Sequence, residues 1–172
     1  LMLSAVISDT VNLKSSTTTN VDKKAVIALA KIAKVQNIDK LALEIFKAKS
    51  NTSKLSDTEL LKNDYKVFDF AGKKTFIGQI ETVEQKEVIS SRGPGLKKAM
   101  LDLQKELQLD IIFLAVSDIL NVNTKLITID SSIQIGEKAF KTQAVDGILD
   151  IGPKLSRKKE IAPAIEKIIQ NG

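Results

Sequence analysis

A run of basic residues stands at a predicted helix start in LSRKKEIAP, residues 155–163. Ser156 is a typical N-cap, and Arg157, Lys158 and Lys159 follow it in the first helical positions. Cations are disfavoured there, because a helix N-terminus carries partial positive charge and free N–H groups. A bound anion would offset this, and the planar fork of Arg157 suits phosphate oxygens. The run therefore predicts a phosphate site, with a solvated basic helix end as the alternative.

Four other polar residues could bind a ligand, although each also has an ordinary structural explanation. Asp9 in ISDT offers a carboxylate to a divalent cation or caps a turn. Lys66 lies at the start of a predicted strand, where an exposed lysine is common. Asp118 ends a predicted central strand, a position that suits a ligand or a cap equally. Arg92 in SRGPG is a weak anion candidate in a predicted turn that lacks P-loop spacing.

Cysteine and histidine are both absent from the 172 residues. Their absence excludes disulfides, thiolate nucleophiles, structural zinc clusters and catalytic systems of the Ser-His-Asp kind. A metal site built from this chain alone would have only carboxylates, hydroxyls and carbonyls as ligands. The net charge of +5 permits an anionic partner, but aromatic residues make up only 4% of the chain. Since few side chains could stack on bases, no nucleic-acid partner is expected.

The composition predicts a soluble globular protein, with 43% hydrophobic and 27% charged residues. No apolar run approaches the ~20 residues that a membrane span needs, so no membrane partner is expected. The apolar run at Leu1 has no basic segment before it, which argues against a signal peptide, and a cytoplasmic location is expected. Because the chain begins inside what resembles a buried element, we expect it to be part of a longer protein.

The elements that would position these residues fall into two regions of different pattern. Residues 1–49 form a helical region, in which Thr19 or Asn20 caps the first of two periodic helices. A Ser/Asn/Thr-rich linker is predicted at 50–57. Residues 58–172 have an α/β pattern, with a hairpin around Ala71-Gly72 and a fully buried strand in DIIFLAV. The predicted fold class is α/β: a mixed β-sheet flanked by helices, preceded by a helical remnant of an N-terminal lobe.

Four separated stretches together resemble one family. They are LMLSAVISDTVNLKSSTTT at 1–19, NDYKVFDFAGKK at 63–74, FLAVSDIL at 113–120 and SRKKEIAP at 156–163. In this order they resemble the C-terminal half of manganese-dependent, family II inorganic pyrophosphatases, which belong to the DHH phosphoesterase superfamily. The resemblance runs over essentially the whole chain, and the first and last stretches are the most specific.

The resemblance implies a two-lobed parent enzyme. Its N-terminal DHH lobe would bind manganese, or cobalt or magnesium, and its DHH-associated lobe would bind the substrate. Residues 1–49 would then end the first lobe, 50–57 would form the hinge, and 58–172 would form the complete second lobe. By the same resemblance, Asp9 matches a metal-ligating aspartate. Lys66, Arg157 and Lys158 match residues that hold the phosphates while a metal-bridging hydroxide attacks phosphorus.

This chain also departs from the family pattern. The DHH triplet and the histidine motifs are absent, KSSTTT replaces the common KSPTCT, and Glu160 replaces a common Gln. The expected function is therefore the substrate-binding C-terminal part of an inorganic pyrophosphatase, inactive by itself. An exopolyphosphatase or related phosphoesterase is one alternative, and a non-catalytic phosphate-binding or interaction module is another. Expected partners are pyrophosphate or polyphosphate and the missing lobe, or a second copy that covers the apolar face of residues 1–49.

Overall fold

The computed structural model describes residues 1–50, 54–130 and 132–171. The chain forms two compact units, Leu1–Asn51 and Thr52–Gly172. Of the predicted linker, residues 51–53 lie outside the described residues, and its last residue already begins a helix. The assignment of residues 1–49 to another lobe stays a prediction.

The helices are α1 Met2–Asp9, α2 Asn20–Ile32, α3 Ile38–Ser50, α4 Asp57–Leu61, α5 Gln85–Leu107, α6 Ser132–Phe140 and α7 Ala162–Gln170, and the strands are β1 Tyr65–Phe70, β2 Lys73–Thr82, β3 Ile111–Asp118, β4 Asn123–Thr128 and β5 Ile148–Gly152.

The first unit consists of α1, α2 and α3, with α1 in contact with both other helices. Thr19 is the N-cap of α2: its hydroxyl accepts a hydrogen bond from the backbone N–H of Asp22, and the Asp22 carboxylate accepts one from the backbone N–H of Thr19. This capping box satisfies two backbone donors that a helix start leaves free. Few of its described side chains are buried, and they include Leu3, Ile7 and Phe46. The unit therefore has a small hydrophobic core.

The second unit contains a five-stranded mixed sheet in the order β1-β2-β3-β4-β5. β2 and β3 are parallel, and the other neighbouring pairs are antiparallel. All eight residues of β3 are buried, as the continuous apolar run predicts for a central strand. β1 and β2 form the predicted hairpin, in which Ala71 and Gly72 both have positive φ, the geometry of a type I′ turn.

Helices cover both faces of this sheet. On one face α4 and α5 pack against the sheet through a buried cluster that includes Leu61, Leu96 and Phe76. On the other face α6 and α7 pack against it through a second cluster that includes Phe113 and Ile165. The predicted fold class, a mixed sheet flanked by helices, is confirmed. Within the described residues, no helix is both long and apolar enough to cross a membrane.

The predicted turn at SRGPG is wrong, because α5 runs straight through this stretch with Pro94 inside the helix. This part of α5 contacts α4 and the residues just before it. The Arg92 side chain donates hydrogen bonds to the Asp57 carboxylate at 2.8 Å and to the Leu55 carbonyl at 2.7 Å. Gly95 leaves room for Asp57, since a Cβ there would overlap its carboxylate. Arg92 therefore contributes to helix packing, and its suggested role as an anion ligand stays a prediction.

Candidate anion-binding site

The predicted basic helix start begins with a π-helical turn, Arg157–Ile161, which leads into α7. Ser156 is its N-cap, as predicted: the hydroxyl accepts a hydrogen bond from the backbone N–H of Lys159 at 3.2 Å. Leu155 and Ile161 on either side are buried. The local sequence therefore buries a residue at each end of the turn, exposes Lys158 and Lys159 between them, and leaves Arg157 and Glu160 partly buried.

Part of the electrostatic cost of cations at this helix start is met within the chain. The Glu160 carboxylate accepts a hydrogen bond from the backbone N–H of Ser156 at 2.9 Å, so a negative charge lies at the first turn. A second carboxylate, that of Asp64, lies 2.7 Å from the Arg157 guanidinium. The carboxylates of Glu160 and Asp64 therefore already balance part of the positive charge, and a bound anion would add to this.

Arg157 reaches from the helix start to the hairpin of β1 and β2. Its Nη2 donates to Asp64 Oδ1 at 2.7 Å, and its Nη1 lies 3.5 Å from the carbonyl oxygen of Ile77 in β2. Only 18% of the Arg157 side chain is exposed. The guanidinium is therefore held at a defined position beside the β1–β2 hairpin, and it has more N–H donors than these two contacts use.

Lys66 lies at the same end of the hairpin. It stands directly across the ladder from Ile77, the residue whose carbonyl Arg157 approaches. Its ammonium lies 5.5 Å from the centre of the Phe68 ring, a weak cation–π contact. The side chain is exposed, so it is accessible to an anion. The structure thus brings Lys66 and Arg157, which are far apart in sequence, to one end of β1 and β2.

Lys158 and Lys159 are both exposed on the π-helical turn. In the part of the chain that the structure describes, neither ammonium makes a hydrogen bond or ion pair. Lys158 follows Arg157 directly, so its charge adds to the positive field at the helix start. Three cations of the predicted set, Lys66, Arg157 and Lys158, therefore lie on the second unit, and their joint role in one site stays a prediction. Such a group suits a multiply charged phosphate, which accepts several charge-assisted hydrogen bonds.

A buried polar network supports the chain just before the cations. The side-chain amide of Gln79 in β2 donates to the carbonyl oxygen of Leu155 at 3.0 Å and lies 3.5 Å from the Ser117 hydroxyl. Ser117 in turn contacts the Thr124 hydroxyl at 2.9 Å. These three residues lie on adjacent strands and are buried. The network fixes the peptide that precedes Ser156 and so positions the helix start.

Sequence reasoning missed Asp64 and Gln79. A signal for Gln79 exists, since it is a polar residue in the apolar run FIGQI, where a buried amide needs a partner. Asp118, the other candidate at a strand end, acts as a cap: its carboxylate accepts hydrogen bonds from the backbone N–H groups of Leu120 and Asn121. The structural alternative is thus the one observed for Asp118.

Asp9 is the last residue of α1, in the first unit, and it is exposed. Among the described residues, no group of three or more His, Cys, Asp or Glu side chains could hold a metal ion. A catalytic divalent cation in proteins takes several oxygen or nitrogen ligands, so one carboxylate is too few. The residues present do not form a manganese site by themselves, and the predicted role of Asp9 stays a prediction.

Comparison with known proteins identifies the family. The model of the DHHA2 domain matches residues 43–168, and the chain belongs to this family. A manganese-dependent inorganic pyrophosphatase from Methanocaldococcus jannaschii is 37% identical over 97% of this chain and 54% of its own length. A "Probable manganese-dependent inorganic pyrophosphatase" from Deinococcus radiodurans is 38% identical over 97% of this chain and 54% of its own length. The resemblance predicted from the sequence is confirmed.

Comparison of the fold with solved structures gives the same result as comparison of the sequence. A solved structure titled "Crystal structure of Methanococcus jannaschii putative family II inorganic pyrophosphatase" superposes with a TM-score of 0.86 at 37% identity. The similarity covers 99% of this chain and 55% of that one. The chain thus spans about half the length of the curated relatives that it matches.

Proposed function

We propose that this chain is the substrate-binding C-terminal part of a manganese-dependent inorganic pyrophosphatase, which hydrolyses pyrophosphate to two phosphates. The observation that carries the proposal is that Arg157 and Lys66 both lie beside Ile77 at one end of the β1–β2 hairpin, with Lys158 next to Arg157 in the sequence. A pyrophosphate has phosphate oxygens on two phosphorus atoms, so separate cations can each bind one end. The names of the relatives support the activity, and the positions of Arg157 and Lys66 are consistent with an anion site.

In this proposal the chain's own residues bind and orient the substrate. The fork of Arg157 donates to phosphate oxygens, while Lys66 and Lys158 add compact positive charge. These cations also stabilise negative charge that develops on the phosphoryl oxygens during transfer. Manganese, or cobalt or magnesium, would supply the activated water and be bound mainly by a lobe outside this chain. The described residues of this chain do not form a metal site by themselves.

Pyrophosphate binding to this chain, measured by calorimetry, tests the site. Arg157→Ala should remove charge-assisted hydrogen bonds that contribute about 1.5–3 kcal/mol, so binding should weaken about tenfold or more. Lys158→Ala should also weaken binding. Lys159→Ala is the matched control, because it removes an equal charge from the same turn without a proposed contact. Equal binding by the parent chain and both site variants would refute the proposed role.

Phosphate release with added manganese tests the division of labour. This chain should release almost no phosphate, whereas a longer protein with an upstream metal-binding lobe should turn over pyrophosphate. Turnover by this chain alone would contradict the proposal. Comparing pyrophosphate with longer polyphosphate on the longer protein separates a pyrophosphatase from an exopolyphosphatase. Binding without turnover in both proteins would favour a phosphate-binding module.

In the same proposal, the exposed large apolar side chains of the first unit would contact the missing lobe. A second copy of this chain could cover them instead, giving a homodimer. Size-exclusion chromatography across a range of concentrations distinguishes a monomer from a dimer. A cytoplasmic location stays a prediction. The exposed apolar side chains are Leu1, Met2, Val21, Ile27 and Ile32.

A further inference from the structure

The guanidinium of Arg157 is already paired inside the second unit. Its Nη2 donates to Asp64 Oδ1 at 2.7 Å. The two partners differ in exposure, with 18% of the Arg157 side chain and 52% of the Asp64 side chain accessible. Solvent therefore reaches the pair from the Asp64 side. An anion approaching the fork of Arg157 from solvent meets the Asp64 carboxylate there.

The backbone holds Asp64 beside the cations. Its carbonyl oxygen accepts a hydrogen bond from the backbone N–H of Gln79 at 2.8 Å, which extends the β1–β2 ladder by one residue before Tyr65. Alternate residues along such a ladder face the same side of the sheet. Asp64 is therefore placed on the side of Lys66, the second cation of the site. One negative charge thus stands among the groups that would bind phosphate.

We infer that Asp64 is an internal competitor of the substrate: its carboxylate occupies the Arg157 guanidinium in the empty site and must be displaced, wholly or in part, when pyrophosphate binds. This inference rests on the proposed function, because it takes pyrophosphate as the anion. Carboxylate and phosphate oxygens accept from the same guanidinium donors. A carboxylate left beside a bound anion also repels it. Asp64 therefore lowers the affinity of the site and favours release of phosphate.

A role of Asp64 in supporting the substrate would change the affinity for pyrophosphate in the opposite direction. If Asp64 mainly oriented Arg157 for the substrate, its removal would weaken binding. The contacts favour competition, because Asp64 takes a terminal nitrogen of the fork and the other terminal nitrogen has only the long 3.5 Å contact to the Ile77 carbonyl. The pair is partly exposed, and exposed ion pairs are weak, so displacement is feasible at moderate anion concentration.

Calorimetric titration of this chain with pyrophosphate tests the inference in Asp64→Asn, Asp64→Ala and Asp64→Glu. Removing the charge should tighten binding about twofold to fivefold at low salt, the range expected for breaking one exposed ion pair. The Glu variant keeps the charge and should stay closer to the parent. The gain should shrink in 1 M salt, where the Debye length falls to about 3 Å. Asp102→Asn is the matched control, since Asp102 is exposed on α5 and pairs with Lys98.

A second background makes the result specific to Arg157. In Arg157→Ala, the additional change Asp64→Asn should tighten binding less than it does in the parent, because the guanidinium for which the two anions compete is gone and only the relief of repulsion remains. Weaker or unchanged binding in Asp64→Asn, with normal binding by the parent and weak binding by Arg157→Ala, would overturn this inference alone. If the parent does not bind pyrophosphate at all, the proposed site and this inference fail together.

Discussion

Gln79 connects the sheet to the helix start through one amide. It is buried, and its amide donates to the Leu155 carbonyl at 3.0 Å, 76 residues further along the chain. A buried carbonyl that loses its donor retains the desolvation penalty of folding, about 1–3 kcal/mol. The stability of the unit and the position of Arg157 therefore both depend on this residue.

Replacing Gln79 with Leu should lower the free energy of unfolding by about 1–3 kcal/mol, because the Leu155 carbonyl loses its partner. It should also weaken pyrophosphate binding, since the chain before Ser156 is no longer tied to β2. Urea unfolding and calorimetry measure the two effects. Gln134→Leu is a suitable control, because Gln134 is exposed on α6 and should change stability by no more than about 0.5 kcal/mol. An unchanged midpoint for Gln79→Leu would show that the hydrogen bond is not important.

The cations of the site could be predicted from sequence, but their internal partners could not. Arg157 and Lys158 stand out because they occupy the wrong end of a helix dipole, which is a local feature. Lys66 came from the family resemblance. Asp64 pairs with Arg157 across 93 residues, and such a contact follows from the packing of the helix start on the hairpin rather than from any local pattern.

At the scale of elements, α6 approaches the sheet closely at a glycine. A Cβ on Gly136 would lie 2.5 Å from Leu149 Cδ1 and 3.3 Å from Phe113 Cε1, and both side chains are fully buried. Gly93 in α5 differs, since no atom lies within 4 Å of an added Cβ. These two glycines therefore separate close helix packing from simple helix propensity.

Gly136→Ala should destabilise the protein by about 1 kcal/mol, because overpacking of about 1–3 kcal/mol exceeds the helix propensity that alanine gains. Gly93→Ala should change stability less than Gly136→Ala, because the added Cβ meets no packed side chain, while the helix propensity gained is opposed by the steric cost of alanine before Pro94. Thermal unfolding of the two variants measures both shifts. Stabilisation by Gly136→Ala, or equal destabilisation by the two variants, would contradict the packing described for α6.

The strands were easier to predict than the start of α5. The buried β3 and the β1–β2 hairpin follow from an apolar run and from a turn dipeptide, both local signals. SRGPG contains the same kind of signal, yet it lies within α5 because Arg92 and Gly95 pack against Asp57 of α4. Tertiary contacts that stabilise the helix therefore override the local turn propensity of this stretch.

At the scale of the whole molecule, the two units differ in how much core they contain. Both large buried clusters lie in Thr52–Gly172. The unit Leu1–Asn51 buries far fewer large side chains, and domains of about this size are marginally stable without other support.

Expressed separately, residues 52–172 should therefore unfold in one cooperative urea transition, whereas residues 1–51 should lack one. Far-UV circular dichroism during urea titration measures both. The same two pieces, compared with the full chain in pyrophosphate titrations, should place all measurable binding in residues 52–172. A cooperative transition in the short piece, or its absence in the long one, would contradict this division.

The buried anchors Leu155 and Ile161 have a consequence for the entropy of binding. Because the backbone on both sides of Arg157 is already fixed, a ligand has to order only a few long side chains, at about 0.5–1.5 kcal/mol each. A flexible basic loop would also lose backbone freedom, at about 1–2 kcal/mol per residue. Most of that conformational entropy was lost when the protein folded, so it no longer opposes the capture of a small anion.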